Sequence, residues 1–223
     1  MRPILQTNYN ATPEIIRAWL GHRYRFLLTI KALELIIRPQ ENLIQILEMG
    51  EPNPFSDILR SLFPKAQWQY TKGDLRNKWS ITDASVDLIV STEVLEHLQD
   101  LPNNYQETFE YSGIKAALKE CCRVLKPGGR LFCTTPNGAS IIHLNKCLMG
   151  KEAWFFSPHI REYTIKELLQ LFKEAGFTVD SHETVHCMTI DDHINYTPIF
   201  YMLLENNFVT DDRGDDIFLI AHN

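Results

Sequence analysis

The chain lacks any run long enough to span a bilayer as a helix. Its longest apolar stretches, such as Leu33–Ile37 with Glu34 inside it, fall far short of the roughly 20 residues required. Met1–Thr12 hold no continuous apolar core, so no signal peptide and no membrane attachment are expected. The five cysteines (Cys121, Cys122, Cys133, Cys147 and Cys187) are odd in number and form no Cys-x-x-Cys pair. Reduced thiols in a cytoplasmic protein are the expectation. An excess of positive charge is also missing. The net charge of −6 argues against a surface built to hold nucleic acid non-specifically, though it leaves room for a local basic groove. There is no internal repeat and no low-complexity segment.

What remains has ordinary globular proportions, with 44% hydrophobic and 22% charged residues over 223 positions. That length suits one domain, 1–223, with a proper core. Residues 1–40 form a helical appendage. Pro13 suits a first turn after Thr12, and Ile16, Leu20, Leu27, Ile30 and Leu35 make an apolar stripe over 13–37, interrupted by Arg17, Arg23, Arg25 and Lys31. This segment is either simple core cover or a lid over a pocket.

After Pro39 the pattern alternates. Leu43–Met49 read as a strand, with Glu48 and Gly50 at its exit. Asn53 is an N-cap and Pro54 a first helical residue for a helix over 55–63, whose N–H groups could hold an anion. Ala66–Thr71 form a second strand, and Gly73-Asp74 follow it. Val86–Val90 are a buried strand leading into Ser-Thr-Glu-Val-Leu-Glu-His. If that piece is helical, Glu93, Glu96 and His97 share one face. Ser112–Leu125 form an amphipathic helix, Lys126–Gly129 a helix stop and turn, and Arg130–Thr134 a strand. A long excursion over 139–159 carries Trp154, Phe155 and Phe156, which could line a substrate site or seal the core. Thr164 and Glu167 make a capping box for a helix ended by Gly176. Phe177–Val179 and Glu183–Met188 look like strand, 198–205 weakly helical, and Asp216–Ala221 a last strand, the final pair being hairpin-like. The expected fold is therefore α/β: a doubly wound, mostly parallel, Rossmann-like sheet with an antiparallel last strand. No Gly-x-Gly-x-x-Gly follows the first strand, which speaks against a nicotinamide-dependent enzyme.

Three blocks carry a resemblance: Val86–His97, Leu118–Asn137 (LKECCRVLKPGGRLFCTTPN) and His159–Phe177 (HIREYTIKELLQLFKEAGF). Together they resemble class I S-adenosylmethionine-dependent methyltransferases of the small stand-alone type, from about Leu43 to the C-terminus. The resemblance implies a seven-stranded sheet, S-adenosylmethionine as cofactor, and methyl transfer to oxygen or nitrogen of an acceptor. Two features depart from it. Pro52 stands where the family's first loop has a further glycine, which removes an N–H donor and close backbone approach. Asp87 lies only 39 positions after Glu48, so one strand–helix unit between strands 1 and 4 is expected to be shortened or missing.

The resemblance assigns cofactor contact to Glu48, Gly50 and, as the ribose acid, Asp74. It places Glu93 and His97 where methyl and nucleophile meet, His97 having the pKa for base work. Similarity to the small-RNA terminal 2′-O-methyltransferases, and to some quinone-biosynthetic ones, implies a divalent metal on Glu93, Glu96, His97 and His159, a donor set suited to Mg, Mn or Zn. The acceptor class expected is a small molecule, glycan or metabolite. The departures at Pro52 and in length keep open a second reading, a catalytically silent relative acting as a binding or scaffold module.

Overall fold

The computed structural model describes residues 13–37, 44–101, 111–152, 154–156, 158–187 and 195–223. Residues 102–110 and the expected strand end at Met188 lie outside them. In chain order the elements are α1 (Pro13–Ile37, kinked at His22), β1 (Gln45–Glu48), α2 (Pro54–Leu62), β2 (Gln67–Tyr70), β3 (Val86–Thr92), a 3₁₀ turn (Leu95–His97), α3 (Ser112–Val124), β4 (Leu125–Pro136), α4 (Ile141–Leu148), α5 (Ile165–Glu174), β5 (Thr178–Val185), α6 (Thr197–Glu205) and β6 (Asp216–His222). Among these residues no helix is long and apolar enough to cross a membrane.

The strands form one six-stranded sheet in the order β2-β1-β3-β4-β6-β5. β1, β2, β3 and β4 pair in parallel, and β6 runs antiparallel to both β4 and β5. The doubly wound fold is as expected, and the seven strands of the resemblance are six among the described residues, as the short spacing between Glu48 and Asp87 predicts. The residues between β2 and β3 form no strand or helix, and one side chain organises them. Arg123 of α3 donates to the carbonyls of Trp79 and Ile81 and pairs with Asp83 and Glu120. Trp79 is buried beneath this clamp, its backbone N–H on Glu120 and its indole N–H on the Leu75 carbonyl. A hydrogen-bonded loop thus stands in place of a strand–helix unit.

Two further expectations are corrected. β5 and β6 are antiparallel neighbours, but 186–215 separate them and include α6, so they are no hairpin. The two strand pieces expected around 177–188 are one strand with a register shift between Val179 and Ser181, and the Asp180 carboxylate accepts from His222. The Lys126–Gly129 turn survives inside β4: Val86 faces Leu125 and Leu88 faces Arg130, so 126–129 loop out.

The sheet is covered on both faces. α3 and α5 bury Leu118, Cys121, Leu168 and Phe172 on one side. On the other, α1 and α2 pack Leu33, Ile36, Ile58 and Leu59 against Ile46, Leu88 and Phe132. A third cluster joins α4 to α6 through Ile141, Ile142, Tyr196 and Leu203. α1 is therefore part of the core. Leu33 is 0% exposed and Leu35, on the same helix, 78%. Leu33→Ala is expected to destabilise by about 2–5 kcal/mol, and Leu35→Ala by no more than about 0.5 kcal/mol. Denaturant unfolding of the two variants measures the contrast.

Candidate active site

The carboxyl ends of β1, β2 and β3 meet at one edge. The Met49 N–H bonds the Val90 carbonyl, the Thr71 N–H bonds the Glu48 carbonyl, and the Gly50 N–H donates to Thr71 Oγ1 at 2.8 Å. Gly50 has φ +90°, a conformation that glycine takes without strain. Asn53 and Pro54 start α2 as their residue types dictate. The cap, however, consumes the amides that sequence offered to an anion. Asn53 Oδ1 accepts from the Phe55 and Ser56 N–H groups, and the Asn53 N–H donates to Ser56 Oγ. With Pro54 lacking an N–H, the first turn holds no spare donor for a ligand carboxylate.

Glu48 is buried beneath that cap, Oε1 accepting from Ser56 Oγ at 2.6 Å. Its Oε2 is buried with no partner at hydrogen-bonding distance, and neither has the nearby Tyr70 hydroxyl. Burial raises the Glu48 carboxyl above the ordinary range, against the opposing effects of Ser56, Arg60 and Tyr70. Asp74 sits beyond the end of β2 in an exposed turn, paired with Arg76 at 2.7 Å. Arg76 holds its carboxyl down at about 2.

The helical condition that would put Glu93, Glu96 and His97 on one face is not met. Glu93 adopts left-handed backbone, φ +55°, strained for a non-glycine residue, and only a 3₁₀ turn follows. The turn commits the Glu93 carboxylate to other partners and leaves Glu96 and His97 close to each other. The Glu93 N–H bonds the Thr134 carbonyl, Oε1 accepts from Thr134 Oγ1 at 2.9 Å, and Oε2 pairs with Arg25 of α1 at 2.7 Å. Glu96 turns inward to 0% exposure, with Oε2 accepting from Thr135 Oγ1 and Oε1 unpartnered. Burial, and then the neighbouring Glu93, push its carboxyl well above the ordinary range. His97 is exposed, its Nε2 3.9 Å from Glu96 Oε1.

His159 joins them from the excursion. The Glu96 carbonyl accepts from the N–H groups of Ile160 and Arg161, and the His159 ring lies edge-on to His97 at 4.9 Å. Ligand atoms of Glu96, His97 and His159 lie within 4.8 Å of one another. Three of the four donors expected for a metal are thus assembled. Glu93 is not with them, because both its oxygens are engaged elsewhere.

Three contributors escaped sequence reasoning. Arg25 read as one of several cations interrupting a stripe, yet it pairs with Glu93 and lines a cavity of about 260 Å³ together with Phe26, Asn53, Phe55 and Thr92. Phe26 stacks on Phe55 at 4.0 Å, which seats α1 over the loop after β1. Asp216 read as a strand's first residue; it is fully buried, with Cys187 Sγ donating to Oδ2. Glu162 entered as one letter of the His159–Phe177 block, yet it bonds both His143 and His159. The only signal in sequence was an acid three positions after a candidate ligand. Of the excursion aromatics, Phe155 packs on His143 and Trp154 lines a cleft of about 590 Å³ that also contains Arg161 and Arg213.

A parallel sheet with one antiparallel strand, helices on both faces and polar groups gathered at the strand ends is the class I methyltransferase arrangement. The family profile described as "Methyltransferase domain" matches residues 23–182. The chain belongs to the methyltransferase-domain family. A Mycolicibacterium smegmatis protein described as a probable S-adenosylmethionine-dependent methyltransferase is 33% identical over 116 residues, 50% of this chain and 38% of that protein. The human mitochondrial ubiquinone biosynthesis O-methyltransferase is 46% identical over 56 residues, 25% of this chain and 12% of that one. The matches thus span well under half the length of these relatives. A crystal structure of a SAM dependent methyltransferase from Archaeoglobus fulgidus shares the fold, with a TM-score of 0.60 at 15% identity, covering 93% of this chain and 99% of that one.

Asp216 supplies a pH test. Burial and the Glu93 charge raise its carboxyl, Arg25 and the Cys187 thiol opposing. The folded state then keeps a proton that the unfolded chain releases. Stability therefore falls as pH rises past the ordinary carboxylate range, until the folded group ionises as well. Asp216→Asn is expected to flatten part of that slope, with Glu96 and Glu48 leaving the remainder. Melting temperature against pH for both proteins checks it.

Proposed function

We propose that this protein is an S-adenosylmethionine-dependent methyltransferase acting on oxygen or nitrogen of a small acceptor. The observation that carries it is the meeting of the Gly50 loop and the Thr92–His97 turn at one sheet edge, inside the stretch that matches the family. S-adenosylmethionine supplies a methyl group activated on a sulfonium, for in-line displacement by the acceptor.

The protein's part is to bind, align and take a proton. Gly50 lets the backbone approach the cofactor. Arg25 is the cation bordering the cavity at the loop after β1, and it anchors the amino-acid carboxylate in place of the capped amides of α2. Asp74, ionised beside Arg76, accepts from ribose hydroxyls. Oε2 of Glu48 is left to accept from the ligand's amino group or a water. The His97 and His159 pair, next to Glu96, takes the acceptor's proton.

The donor set Glu96, His97 and His159 also fits a divalent cation, and the buried, unpartnered Glu96 Oε1 is the group that such charge would satisfy. A cation held there would favour the deprotonated acceptor, in place of proton uptake by the two histidines that would ligate it. Local identity to an O-methyltransferase supports oxygen as the accepting atom.

The second reading, a silent binding module of methyltransferase fold, draws on Pro52 and on the closed cap of α2. Calorimetric titration with S-adenosylhomocysteine separates the two. The enzyme reading expects binding that Arg25→Gln weakens about 10–100-fold, the worth of one charge-assisted hydrogen bond. No heat and no thermal shift would leave the binding module. For the cation, Mn²⁺ titration should show one site that is lost in His159→Ala; equal binding in both proteins removes the metal from the account.

A further inference from the structure

Behind His159 lies a chain of buried polar side chains that the methyl-transfer reading does not use. The Glu162 side chain is 2% exposed. Its Oε1 meets His159 Nδ1 at 2.5 Å and accepts from the Phe155 N–H at 2.8 Å. Its Oε2 meets His143 Nε2. His143 Nδ1 in turn lies 2.6 Å from Ser140 Oγ, the N-cap of α4. The backbone seats this carboxylate closely: the Gly138 N–H bonds the Tyr163 carbonyl, and a Cβ on Gly138 would lie 2.5 Å from the Glu162 carbonyl oxygen.

Proton positions follow from donor and acceptor counting. An ionised carboxylate only accepts, so both imidazole nitrogens facing Glu162 carry hydrogens. His143 is then the Nε2–H tautomer, and its bare Nδ1 accepts from the Ser140 hydroxyl. His159 is the Nδ1–H tautomer. Its Nε2 keeps the lone pair, in a ring packed edge-on to His97 and grouped with Glu96.

We propose that Glu162 is the positioning residue of this site: it fixes the ring and tautomer of His159 so that the Nε2 lone pair is presented to Glu96 and His97. The same carboxylate, through His143, ties that ring to the wall of the 590 Å³ cleft, which both Glu162 and His143 line. One buried side chain thus joins the reactive cluster to the cleft beside it. A carboxylate behind an imidazole selects the nitrogen that reacts, whether that nitrogen takes a proton or holds a cation. The purpose of the arrangement rests on the methyltransferase reading; the tautomer does not.

The test is long-range ¹H–¹⁵N NMR of the histidine rings in metal-free protein, at mildly alkaline pH where imidazoles are neutral. His159→Gln assigns the resonances. The wild type should show His159 as a single Nδ1–H tautomer, and Glu162→Gln should give a mixture or the Nε2–H form. Mn²⁺ affinity should fall about 10–100-fold in the variant, while S-adenosylhomocysteine affinity holds. A wild-type Nε2–H tautomer overturns the proposal, as does a tautomer that Glu162→Gln leaves unchanged. If the variant fails to fold, the wild-type spectrum alone decides. A wild type with the expected tautomer and no Mn²⁺ binding supports the positioning role and removes the metal instead.

Discussion

The left-handed turn at Glu93 is the constraint on which the rest of the site depends. A residue there pays no steric toll if it is glycine; glutamate is strained, and the structure holds it by three contacts. Thr134 of the neighbouring strand takes its backbone N–H and one carboxylate oxygen, and Arg25 of the first helix takes the other. Had the chain continued as a helix, Glu93, Glu96 and His97 would have lined one face. The turn instead sends Glu93 toward the cavity under α1, buries Glu96 and leaves His97 at the surface. One backbone conformation thereby divides the strand exit into two compartments.

The compartments differ in electrostatic character. Beneath α1, Arg25 stands among Glu93, Glu96 and Asp216, more acid than one cation neutralises, and burial keeps Glu96 and Asp216 inclined to hold protons. Toward the excursion, Glu162 is enclosed by imidazoles. Burial would raise its carboxyl, but the hydrogen bonds from His143 and His159 outweigh that and hold it below the ordinary range. Arg25, proposed as the anchor for an amino-acid carboxylate, lies on one side, and the His159 ring lies on the other. The strand exit between them is where a transferred methyl would lie.

Local rules were legible in the sequence. Asn53-Pro54 and Thr164 with Glu167 started their helices as capping chemistry requires, and the tally of residues between Glu48 and Asp87 foretold the missing strand–helix unit. What took its place was not legible, because the Arg123 clamp joins residues some forty positions apart. The spacing of Glu93, Glu96 and His97 marked the right stretch and gave the wrong geometry, since nothing local signals a left-handed glutamate. Arg25 resembled its neighbours Arg23 and Lys31 until packing placed it on Glu93. Glu162 became meaningful only once α4, which the sequence pattern did not reveal, brought His143 to its second oxygen.

The most direct measurement is a crystal structure with S-adenosylhomocysteine bound. The account predicts the ligand across the exits of β1, β2 and β3, its amino-acid carboxylate on Arg25 and its sulfur facing the Thr92–Glu93 turn, on the side from which His159 is approached. A ligand lodged in the cleft beside Trp154 and Arg213, or one whose carboxylate lies away from Arg25, would contradict it.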